Sequence, residues 1–546
     1  MNMGKMGMAR EVLLAALSGI LLGAGFLFDT LFFIAWFALV PLLFALERRR
    51  RLPDPGPKQG RRRSETKTWQ IMLLGLVAGF AGHVLGFYWL VGTMVRFGGI
   101  PTPLSLVLFL LIATAFSLIF SLFALGYHWG RKGLSLSSTW LPLFTAALYT
   151  ALEFLYPQVF PWHLGNPQIA WLPLVQVADI TGVYGISFLL VWVNTLLFQL
   201  FLSVRRSGIA FPWRGVAITC VLVGAVVGYG YRRLHHIQAA TTRAPTFRVA
   251  LIQPNIGSEE KHDPRWEEKQ HQILARLSRQ AMAQKPQLIV WPETAYRYPV
   301  STAARSLSLP LHPPPSSLLL IGANTLRQKA GRRERFNSAL LLSASGKVWG
   351  RYDKHRLLMF GEYIPLQRYF PFLRGISTAI GDYTPGTGPR VVSAPQGPRL
   401  APLICYEDIL PSLSREAVRQ GAQVLVNMTN DAWFGPTRAP YQHQMLAQFR
   451  AIEHRVPLIR ATNTGLTSVV DPTGKLVARV DIYVETTLVR DIPLLQVQTF
   501  YTRYGDLFAF LCIAITLGGL SSSWWGSNSG SSRSRDRASP RRGGAA

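Results

Sequence analysis

Residues 399–409 read RLAPLICYEDI, an apolar run that leads directly to a cysteine, a tyrosine and two acids. The part over 399–407 has the length and composition of a buried strand. Cys405 is one of three cysteines in the 546-residue chain, and the other two, Cys220 and Cys512, lie inside predicted membrane spans, where a small apolar side chain is the ordinary interpretation. Cys405 therefore has no disulfide partner in its own domain.

Strand and helix patterns alternate on both sides of this run. Strands are predicted at 246–255, 287–293, 317–325, 422–431 and 456–465, helices at 263–284 (with Asp263 as N-cap) and 441–455, and hairpins at 336–354 and 466–480. Alternating strands and helices with inserted hairpins are typical of an α/β sandwich, with sheets inside and helices outside. The sequence predicts that such an extramembrane domain covers residues 237–498.

Long apolar segments flank that domain, in a chain that is 49% hydrophobic. About eight of them have the length of roughly 17 to 25 residues that crosses a hydrocarbon core. They lie near 12–28, 30–46, 69–91, 104–128, 138–156, 183–204, 215–231 and 504–521. We therefore expect a polytopic α-helical membrane protein. Its membrane domain of seven helices covers 1–236, and an eighth helix with a disordered, basic cytoplasmic tail covers 499–546.

Lysine and arginine are distributed unequally between the predicted loops. Clusters at 48–67, 131–132 and 205–214 share one side, whereas the opposite loops carry Arg96 in one case and no basic residue over 157–182. Because loops rich in Lys and Arg stay on the cytoplasmic side, the soluble domain is predicted to face outward. The same clusters account for much of the formal net charge of +29, so nucleic-acid binding is not expected.

Three reactive residues stand at the predicted strand ends. Glu293 closes QLIVWPE, Lys354 closes the hairpin at 336–354, and Cys405 nearly closes RLAPLICYE. A carboxylate that accepts the thiol proton, an ammonium that stabilises an oxyanion and a nucleophilic sulfur form a complete acyl-transfer set. Their separation along the chain carries no local geometry, so on the residues alone the set stays a hypothesis. No nucleotide-binding motif or zinc-ligand spacing occurs, so neither a cofactor nor a metal is expected.

Four motifs, in chain order, resemble those of the nitrilase superfamily, whose catalytic set is Glu-Lys-Cys. They are WPETA (291–295), YDKHRLLMFGEYIPL (352–366), LICYEDI (403–409) and NMTNDAWFG (427–435). The GEYIP and NDAWFG versions resemble one branch, the apolipoprotein N-acyltransferases of bacterial envelopes. Two segments of the membrane part, FPWHLGNPQ (160–168) and DITGVYGISFLLVWVN (179–194), are similar to the same branch. The resemblance implies a nitrilase-like αββα sandwich for the soluble domain.

The resemblance also implies residue roles. Glu293 matches the general base, Lys354 the oxyanion-stabilising lysine and Cys405 the nucleophile. Glu362, Tyr406 and Glu407 match further positions that the family needs. The Tyr406 backbone N–H is the expected second oxyanion donor, and Glu362 and Glu407 are expected to orient Lys354 or the incoming amine.

One stretch departs from the family pattern. The family has a Lys-Trp pair ahead of the first helix of this domain, where this chain reads EEKHDPRW (259–266), so His262 stands at the tryptophan position. Either His262 or Trp266 supplies the substrate contact of that tryptophan, or the enzyme works without it. The apolar run 359–373 is a candidate lid, with ordinary packing as the alternative.

The function implied is that of a monomeric enzyme of the bacterial inner membrane, with its catalytic domain facing the periplasm. It would move an acyl chain from a phospholipid donor, through a Cys405 thioester, to the N-terminal diacylglyceryl-cysteine of an apolipoprotein acceptor. A membrane-tethered amidohydrolase and a non-catalytic scaffold stay open as alternatives. For His83, Glu153 and Asp179, in or near the predicted spans, we expect structural hydrogen bonds rather than catalysis.

Overall fold

The computed structural model describes residues 2–51, 60–206, 208–257, 260–261, 263–311, 313–359, 361–364, 369 and 382–532. The amino-terminal part is helical. Its helices are α1 (Asn2–Leu27), α2 (Val40–Arg50), α3 (Gly60–Gly86), α4 (Trp89–Arg96), α5 (Thr102–Gly130), α6 (Trp140–Leu155), α7 (Leu172–Val175), α8 (Ala178–Thr181), α9 (Tyr184–Arg205) and α10 (Trp213–Arg243).

Within the described residues, six helical segments are long and apolar enough to cross a membrane. They are Met8–Leu27, Asp29–Arg50, Lys67–Gly86, Thr102–Gly130, Tyr184–Arg205 and Trp213–Arg243. These segments confirm six of the predicted spans and a multi-pass membrane protein. At the other two predicted positions stand shorter apolar helices, α6 and the beginning of the last helix, so the count of eight spans stays a prediction.

Glycines let the first helices approach closely. A Cβ atom added at Gly19 of α1 would lie 2.0 Å from the Ala78 carbonyl oxygen of α3, and one added at Gly75 would lie 2.2 Å from the Phe120 carbonyl oxygen of α5. Helices in lipid are held together by such close backbone contact rather than by the hydrophobic effect. The α1–α3–α5 packing therefore depends on these positions having no side chain.

The second part of the chain contains two sheets. Its strands are β1 (Thr246–Gln253), β2 (Leu288–Val290), β3 (Tyr296–Ser301), β4 (Leu318–Lys329), β5 (Arg332–Leu342), β6 (Val348–Asp353), β7 (Leu400–Ile404), β8 (Val424–Thr429), β9 (Leu458–Thr462), β10 (Ser468–Val470), β11 (Leu476–Arg479) and β12 (Thr486–Pro493). One sheet has the order β12-β1-β2-β4-β5-β6, with β3 beside β4, and the other has the order β11-β10-β9-β8-β7.

The two sheets pack face to face and are covered by helices. The inner faces share a core that includes Leu251 and Val290 on one side and Val426 and Ile459 on the other, all fully buried. Helix α11 (Glu267–Met282) covers the outer face of the larger sheet, and α12 (Pro411–Arg419) and α13 (Ala439–His454) cover the smaller one. This is the αββα sandwich that the sequence predicts.

Strand directions place three chain segments at one edge of the sandwich. Strands β1, β2 and β4 are parallel, and so are β7, β8 and β9. Strand β6 is antiparallel to β5, which is antiparallel to β4, so β6 runs in the direction of β4. The segments that follow β2, β6 and β7 therefore leave their sheets at carboxyl ends, where sites form in α/β folds.

The sequence interpretation differs from the structure in several elements. It missed strands β3 and β12 and helix α12. The strand predicted over 399–407 ends at Ile404, and Cys405 begins a 3-10 helix, Cys405–Ile409. The chain ends its described part in α14 (Phe500–Tyr504) and α15 (Leu507–Ser532), and the predicted tail beyond Ser532 lies outside the described residues.

Helix α13 joins the sandwich to the membrane helices. The Trp89 Nε1–H donates to Gln442 Oε1 at 2.8 Å, and Gln442 Nε2 donates to the Gly86 carbonyl at 2.9 Å. At the other end of α13, Arg455 Nη2 lies 2.8 Å from Asp179 Oδ2. Because Gln442 and Arg455 are buried at this junction, they fix the edge of the sandwich relative to the membrane domain.

The three ionisable residues that the sequence singles out in or near the predicted spans, His83, Glu153 and Asp179, have hydrogen-bond partners in the structure, as expected. Asp179 also accepts hydrogen bonds from Tyr229 Oη and Arg233 Nε, both at 2.7 Å. Glu153 Oε1 accepts from the Leu164 N–H at 2.8 Å, and the His83 Nδ1–H donates to the Gly79 carbonyl at 2.8 Å. These contacts link helices and loops within the membrane domain.

Candidate active site

Cys405 sits on a sharp turn between strand β7 and a 3-10 helix. Its φ is +57°, in the left-handed region that side chains other than glycine rarely adopt. Asn427 Nδ2 donates to the Cys405 carbonyl at 2.8 Å and to the Leu403 carbonyl at 3.2 Å, which fixes the turn. The Tyr406 N–H lies in the first turn of the 3-10 helix, where backbone N–H groups have no partner within the helix. A strained backbone held in this way indicates a functional position.

Glu293 follows strand β2 and is 7% exposed. Its Oε1 accepts a hydrogen bond from Asn337 Nδ2 at 2.7 Å, whereas its Oε2 has no hydrogen-bond partner among the described residues. Its backbone carbonyl accepts from the buried Lys261 Nζ at 2.8 Å. One carboxylate oxygen is therefore held in place while the other keeps its lone pairs available for a proton.

Lys354 follows strand β6 and is fully buried between two carboxylates. Its Nζ lies 2.8 Å from Glu362 Oε2 and 3.7 Å from Glu293 Oε1. It also lies 5.6 Å from the centre of the Tyr406 ring. Burial alone would lower the pKa of Lys354, but the negative charges of Glu362 and Glu293, joined by that of Cys405 whenever it is a thiolate, outweigh burial and raise that pKa well above its usual value. Lys354 is therefore an ammonium throughout the physiological range.

Asn337 connects the two carboxylates. Besides its bond to Glu293, its Nδ2 donates to Glu362 Oε1 at 3.1 Å, and Glu362 Oε2 accepts from the Leu358 N–H at 2.9 Å. Sequence analysis missed Asn337, although a buried polar residue in the apolar strand FNSALLL signals a specific partner. Asn337 and Glu362 together hold Lys354 and Glu293 in place.

The Cys405 thiol is protonated at rest. Burial raises the pKa of Cys405 most strongly, Lys354 lowers it, and Glu293 and Glu362 raise it further, so the net shift is upward. The nearby ammonium thus favours the thiolate, but burial has the larger effect. The thiol must therefore lose its proton as the sulfur attacks. The charge of the Glu293 carboxylate acts on that thiol, and the Oε2 of this carboxylate, which has no partner among the described residues, can take the proton.

Glu407 is fully buried and binds the backbone on both sides of the site. Its Oε1 accepts from the N–H groups of His355 and Arg356 at 2.9 Å each, and its Oε2 accepts from the Ile404 N–H at 2.8 Å. Tyr352 Oη donates to the same carboxylate at 2.8 Å. Glu407 therefore connects the end of β6, which carries Lys354, to the end of β7, which carries Cys405.

Replacing Glu407 with glutamine is expected to destabilise the protein by at least about 2 kcal/mol, because an amide NH2 then faces backbone donors and leaves them unsatisfied. The measurement is thermal unfolding of the purified protein in detergent, beside its acyl-transfer rate. Glu416→Gln on α12, where the side chain is 47% exposed, is the matched control and should leave both unchanged. An unfolding temperature within 1 °C of wild type, about 0.5 kcal/mol or less for a domain of this size, would contradict this role.

The other residues predicted for the site are His262 and Trp266. His262 lies outside the described residues, and so does most of the candidate lid over 359–373. Trp266 is half-buried ahead of α11, where the Lys269 Nζ lies 4.0 Å above its ring. A substrate contact by either residue stays a prediction. Among the described residues, no group of three or more His, Cys, Asp or Glu side chains could hold a metal ion.

Aromatic side chains connect the site to the membrane domain. The Phe160 ring lies 6.2 Å from the Tyr406 ring and 6.0 Å from the Trp89 ring, and Trp89 in turn lies 4.9 Å from Phe434. Phe160 and Trp89 belong to the membrane domain, whereas Tyr406 directly follows Cys405. The turn that carries Cys405 therefore packs against aromatic side chains of the membrane domain.

The fold and the site together define a class of protein. A carbon-nitrogen hydrolase sandwich, with a thiol, an ammonium and a carboxylate at the ends of its strands, is attached to a multi-pass membrane domain. Comparisons agree with both parts: the carbon-nitrogen hydrolase family model matches residues 248–501, and the model of the apolipoprotein N-acyltransferase N-terminal domain matches residues 18–196.

Comparison with whole proteins identifies the family. The chain is 37% identical over 519 residues to an apolipoprotein N-acyltransferase of Geobacter metallireducens, covering 92% of this chain and 94% of the relative. It is 31% identical over 544 residues to one of Chlorobaculum tepidum, covering 93% and 95%. The chain therefore belongs to the apolipoprotein N-acyltransferase family and is an acyltransferase of the nitrilase superfamily. Among solved structures, an amidase from Nesterenkonia sp. is similar at 20% identity and a TM-score of 0.34, over 49% of this chain and 97% of that one.

Proposed function

We propose that this enzyme transfers an acyl chain from a membrane phospholipid to the α-amino group of the N-terminal S-diacylglyceryl-cysteine of an apolipoprotein, through a thioester on Cys405. One observation carries the proposal: the turn that holds Cys405 contacts the membrane domain through Tyr406 and Phe160, with Lys354 and Glu293 beside it. The phospholipid and the diacylglyceryl group of the apolipoprotein both reside in a membrane. A nucleophile that packs against the membrane domain is therefore better placed to reach them than one far from it.

The first half-reaction acylates the enzyme. Cys405 Sγ attacks the carbonyl carbon of the phospholipid ester while the free Oε2 of Glu293 takes the thiol proton. Lys354 Nζ and the Tyr406 N–H stabilise the oxyanion of the tetrahedral intermediate. The C–O bond of the ester then breaks, Glu293 returns the proton to the leaving alkoxide, and a lysophospholipid departs. The acyl chain remains on sulfur as a thioester.

The second half-reaction transfers the chain to the acceptor. The neutral α-amine attacks the thioester carbonyl, the same two donors stabilise the oxyanion, and Glu293 takes a proton from the attacking nitrogen. The C–S bond breaks, the sulfur regains that proton, and an amide is released. Lys354 does not donate a proton in either half, which agrees with its raised pKa. The chemistry needs no metal or nucleotide.

The proposal includes a location. The Lys and Arg clusters at 48–67, 131–132 and 205–214 favour a cytoplasmic position for one end of the helices. We place the protein in the bacterial inner membrane with the sandwich in the periplasm, where it acts as a monomer. The loops on the opposite side, one with Arg96 and one over 157–182 with no basic residue, support this orientation.

The experiment that tests the proposal is mass spectrometry of Cys405 after incubation of the purified protein with one defined phospholipid and no amine. We expect a mass increase of one acyl chain on Cys405, removable by hydroxylamine. Adding a diacylglyceryl peptide with a free α-amine should discharge it and give the N-acylated peptide. The same peptide with an acetylated α-amine is the control and should leave the acyl-enzyme intact.

Two outcomes would contradict the proposal. Steady release of free fatty acid without any amine would mean that water resolves the thioester, as in a membrane-tethered amidohydrolase. An unmodified Cys405, with the peptide still N-acylated, would remove the thioester from the mechanism.

A further inference from the structure

A second cluster of charges lies behind the turn that carries Cys405. It consists of Asp408, Asp431, His443 and Arg460, whose side chains are between 0 and 7% exposed. They come from four different elements: the 3-10 helix that begins at Cys405, the 3-10 helix Asp431–Phe434 after β8, helix α13 and strand β9. The sequence analysis assigned no role to any of them, and the two half-reactions above do not use them.

His443 bridges the two carboxylates of this cluster. Its Nε2 lies 2.8 Å from Asp408 Oδ1, and its Nδ1 lies 3.1 Å from Asp431 Oδ1. A carboxylate only accepts hydrogen bonds, so both ring nitrogens donate only when the ring is an imidazolium. The contacts themselves therefore assign a positive charge to His443.

Arg460 completes the balance of charge. Its Nη1 lies 3.3 Å from Asp408 Oδ2, and its Nη2 lies 3.8 Å from Asp431 Oδ2. With two carboxylates, one guanidinium and one imidazolium, the buried cluster has no net charge. Losing the His443 proton would leave one uncompensated negative charge in a buried cluster, which is unfavourable.

The cluster acts on Cys405 in two ways. Asp408 belongs to the same 3-10 helix as Cys405, so a fixed Asp408 fixes the strained turn. Asp431 is close enough for its charge to act on the thiol: burial is the main cause that raises the pKa of Cys405, and Asp431 adds to it. The positive charge of His443, 3.1 Å from Asp431, opposes that addition.

We propose that His443, held as an imidazolium between Asp408 and Asp431, is a positioning residue for Cys405: it fixes the 3-10 helix that begins at the nucleophile and offsets the negative charge behind the sulfur. This inference rests on the proposed role of Cys405 as the nucleophile. It predicts that acylation of Cys405 depends on the protonation of His443, although the His443 proton is not transferred in either half-reaction.

The pH dependence follows from the groups around the ring. Burial lowers the pKa of His443, whereas the carboxylates of Asp408 and Asp431 raise it. Arg460 opposes these carboxylates, and the net result is a His443 pKa raised to about 9. The segment Asn166–Ala170, which packs against α13 from the membrane side, carries no titratable side chain. Because the pKa is raised, the stabilisation is complete below the ordinary value of about 6.5 and is lost as the pH rises through about 9.

The test is the single-turnover rate of Cys405 acylation, measured by mass spectrometry between pH 6 and 10 with phosphatidylethanolamine in detergent micelles. Wild type should acylate more slowly above pH 9. His443→Gln should acylate about tenfold or more slowly at pH 7.5, and its alkaline decline should be absent, because a neutral amide has no proton to lose there. Asp408→Asn should move the decline to lower pH, because one of the charges that raise the His443 pKa is gone.

The matched control is His454→Gln. His454 is a fully buried histidine on the same helix, bound to Ser414 Oγ at 3.1 Å and Thr502 Oγ1 at 2.8 Å, away from the site. It should keep the wild-type pH profile even if its unfolding temperature falls, which separates positioning from general stability.

Three results would overturn the inference. One is His443→Gln with a wild-type rate and an unchanged alkaline decline. If His443→Gln does not fold, Asp408→Asn decides, because it keeps the side-chain shape: an unchanged decline in that variant overturns the inference too. If wild-type Cys405 takes up no acyl chain at all, the proposed function fails, and the inference fails with it.

Discussion

Replacing Cys405 with alanine is expected to reduce N-acylation of a diacylglyceryl peptide by at least about 10⁴-fold and to remove the acyl-enzyme entirely. Without the sulfur no thioester can form. The peptide amine would then have to attack the phospholipid ester directly, with donor and acceptor bound in the site at the same time. The measurement is N-acylated peptide by mass spectrometry, with phospholipid as the only acyl donor.

The chain offers a matched control for that variant. Cys220 is an exposed cysteine on α10, so Cys220→Ala should acylate the peptide at the wild-type rate. Cys405→Ser keeps a nucleophilic atom at the turn, but Glu293 must then deprotonate a far weaker acid. Serine should retain less than about one thousandth of the wild-type rate. If Cys405→Ala still yielded N-acylated peptide, the chain would be a scaffold for another enzyme.

Strand direction explains why the main site residues could be predicted from the sequence. Glu293 and Cys405 each follow a short apolar run that forms a parallel strand, β2 and β7. Lys354 follows β6, which pairs antiparallel with β5 and so leaves the sheet in the same direction as β4. Strand ends of this kind made the three residues candidates for one site, and the family resemblance supplied their roles. Their distances and protonation states depend on burial, which the sequence does not specify.

Other features could not be predicted because they depend on contacts between distant parts of the chain. The left-handed φ of Cys405 is maintained by Asn427, 22 residues away, so the local pattern predicted a strand through 407 instead. Asp408 had no assigned role because its partners, His443 and Arg460, lie on other elements. The pair of Arg455 and Asp179, which joins the domains, spans 276 residues.

Length also limits the prediction of membrane helices. Six predicted spans correspond to segments long and apolar enough to cross a bilayer, but α6 has only 16 residues. At about 1.5 Å per residue, a helix of that length covers roughly 24 Å, less than a typical hydrocarbon core. A pattern of apolar residues cannot distinguish such a helix from a complete span, because both bury the same residue types.

Replacing Lys354 with methionine is expected to lower the rate of Cys405 acylation by at least about 10³-fold. The variant loses the charged oxyanion donor and leaves Glu293 and Glu362 as two buried carboxylates without the cation between them. Removing one partner of a buried ion pair costs about 3 kcal/mol or more, so the unfolding temperature should fall as well. Lys347→Met, an exposed lysine on the same hairpin, is the matched control and should change neither.

A double variant separates the two roles of Lys354. Lys354→Met with Glu362→Gln removes one of the two carboxylates, so it should recover most of the lost stability without recovering acylation. Acylation within tenfold of wild type would mean that Lys354 only neutralises Glu362.

The pH profile of acylation gives an independent check on the role of Lys354. The pKa of Lys354 in the folded protein is raised well above its usual, unfolded-state value. The stabilisation from its charge is therefore complete below the unfolded-state pKa and is lost only as the pH rises through the higher folded-state pKa. A decline in acylation near pH 9 therefore cannot come from Lys354, and it should persist in Lys354→Arg if the His443 imidazolium is its source.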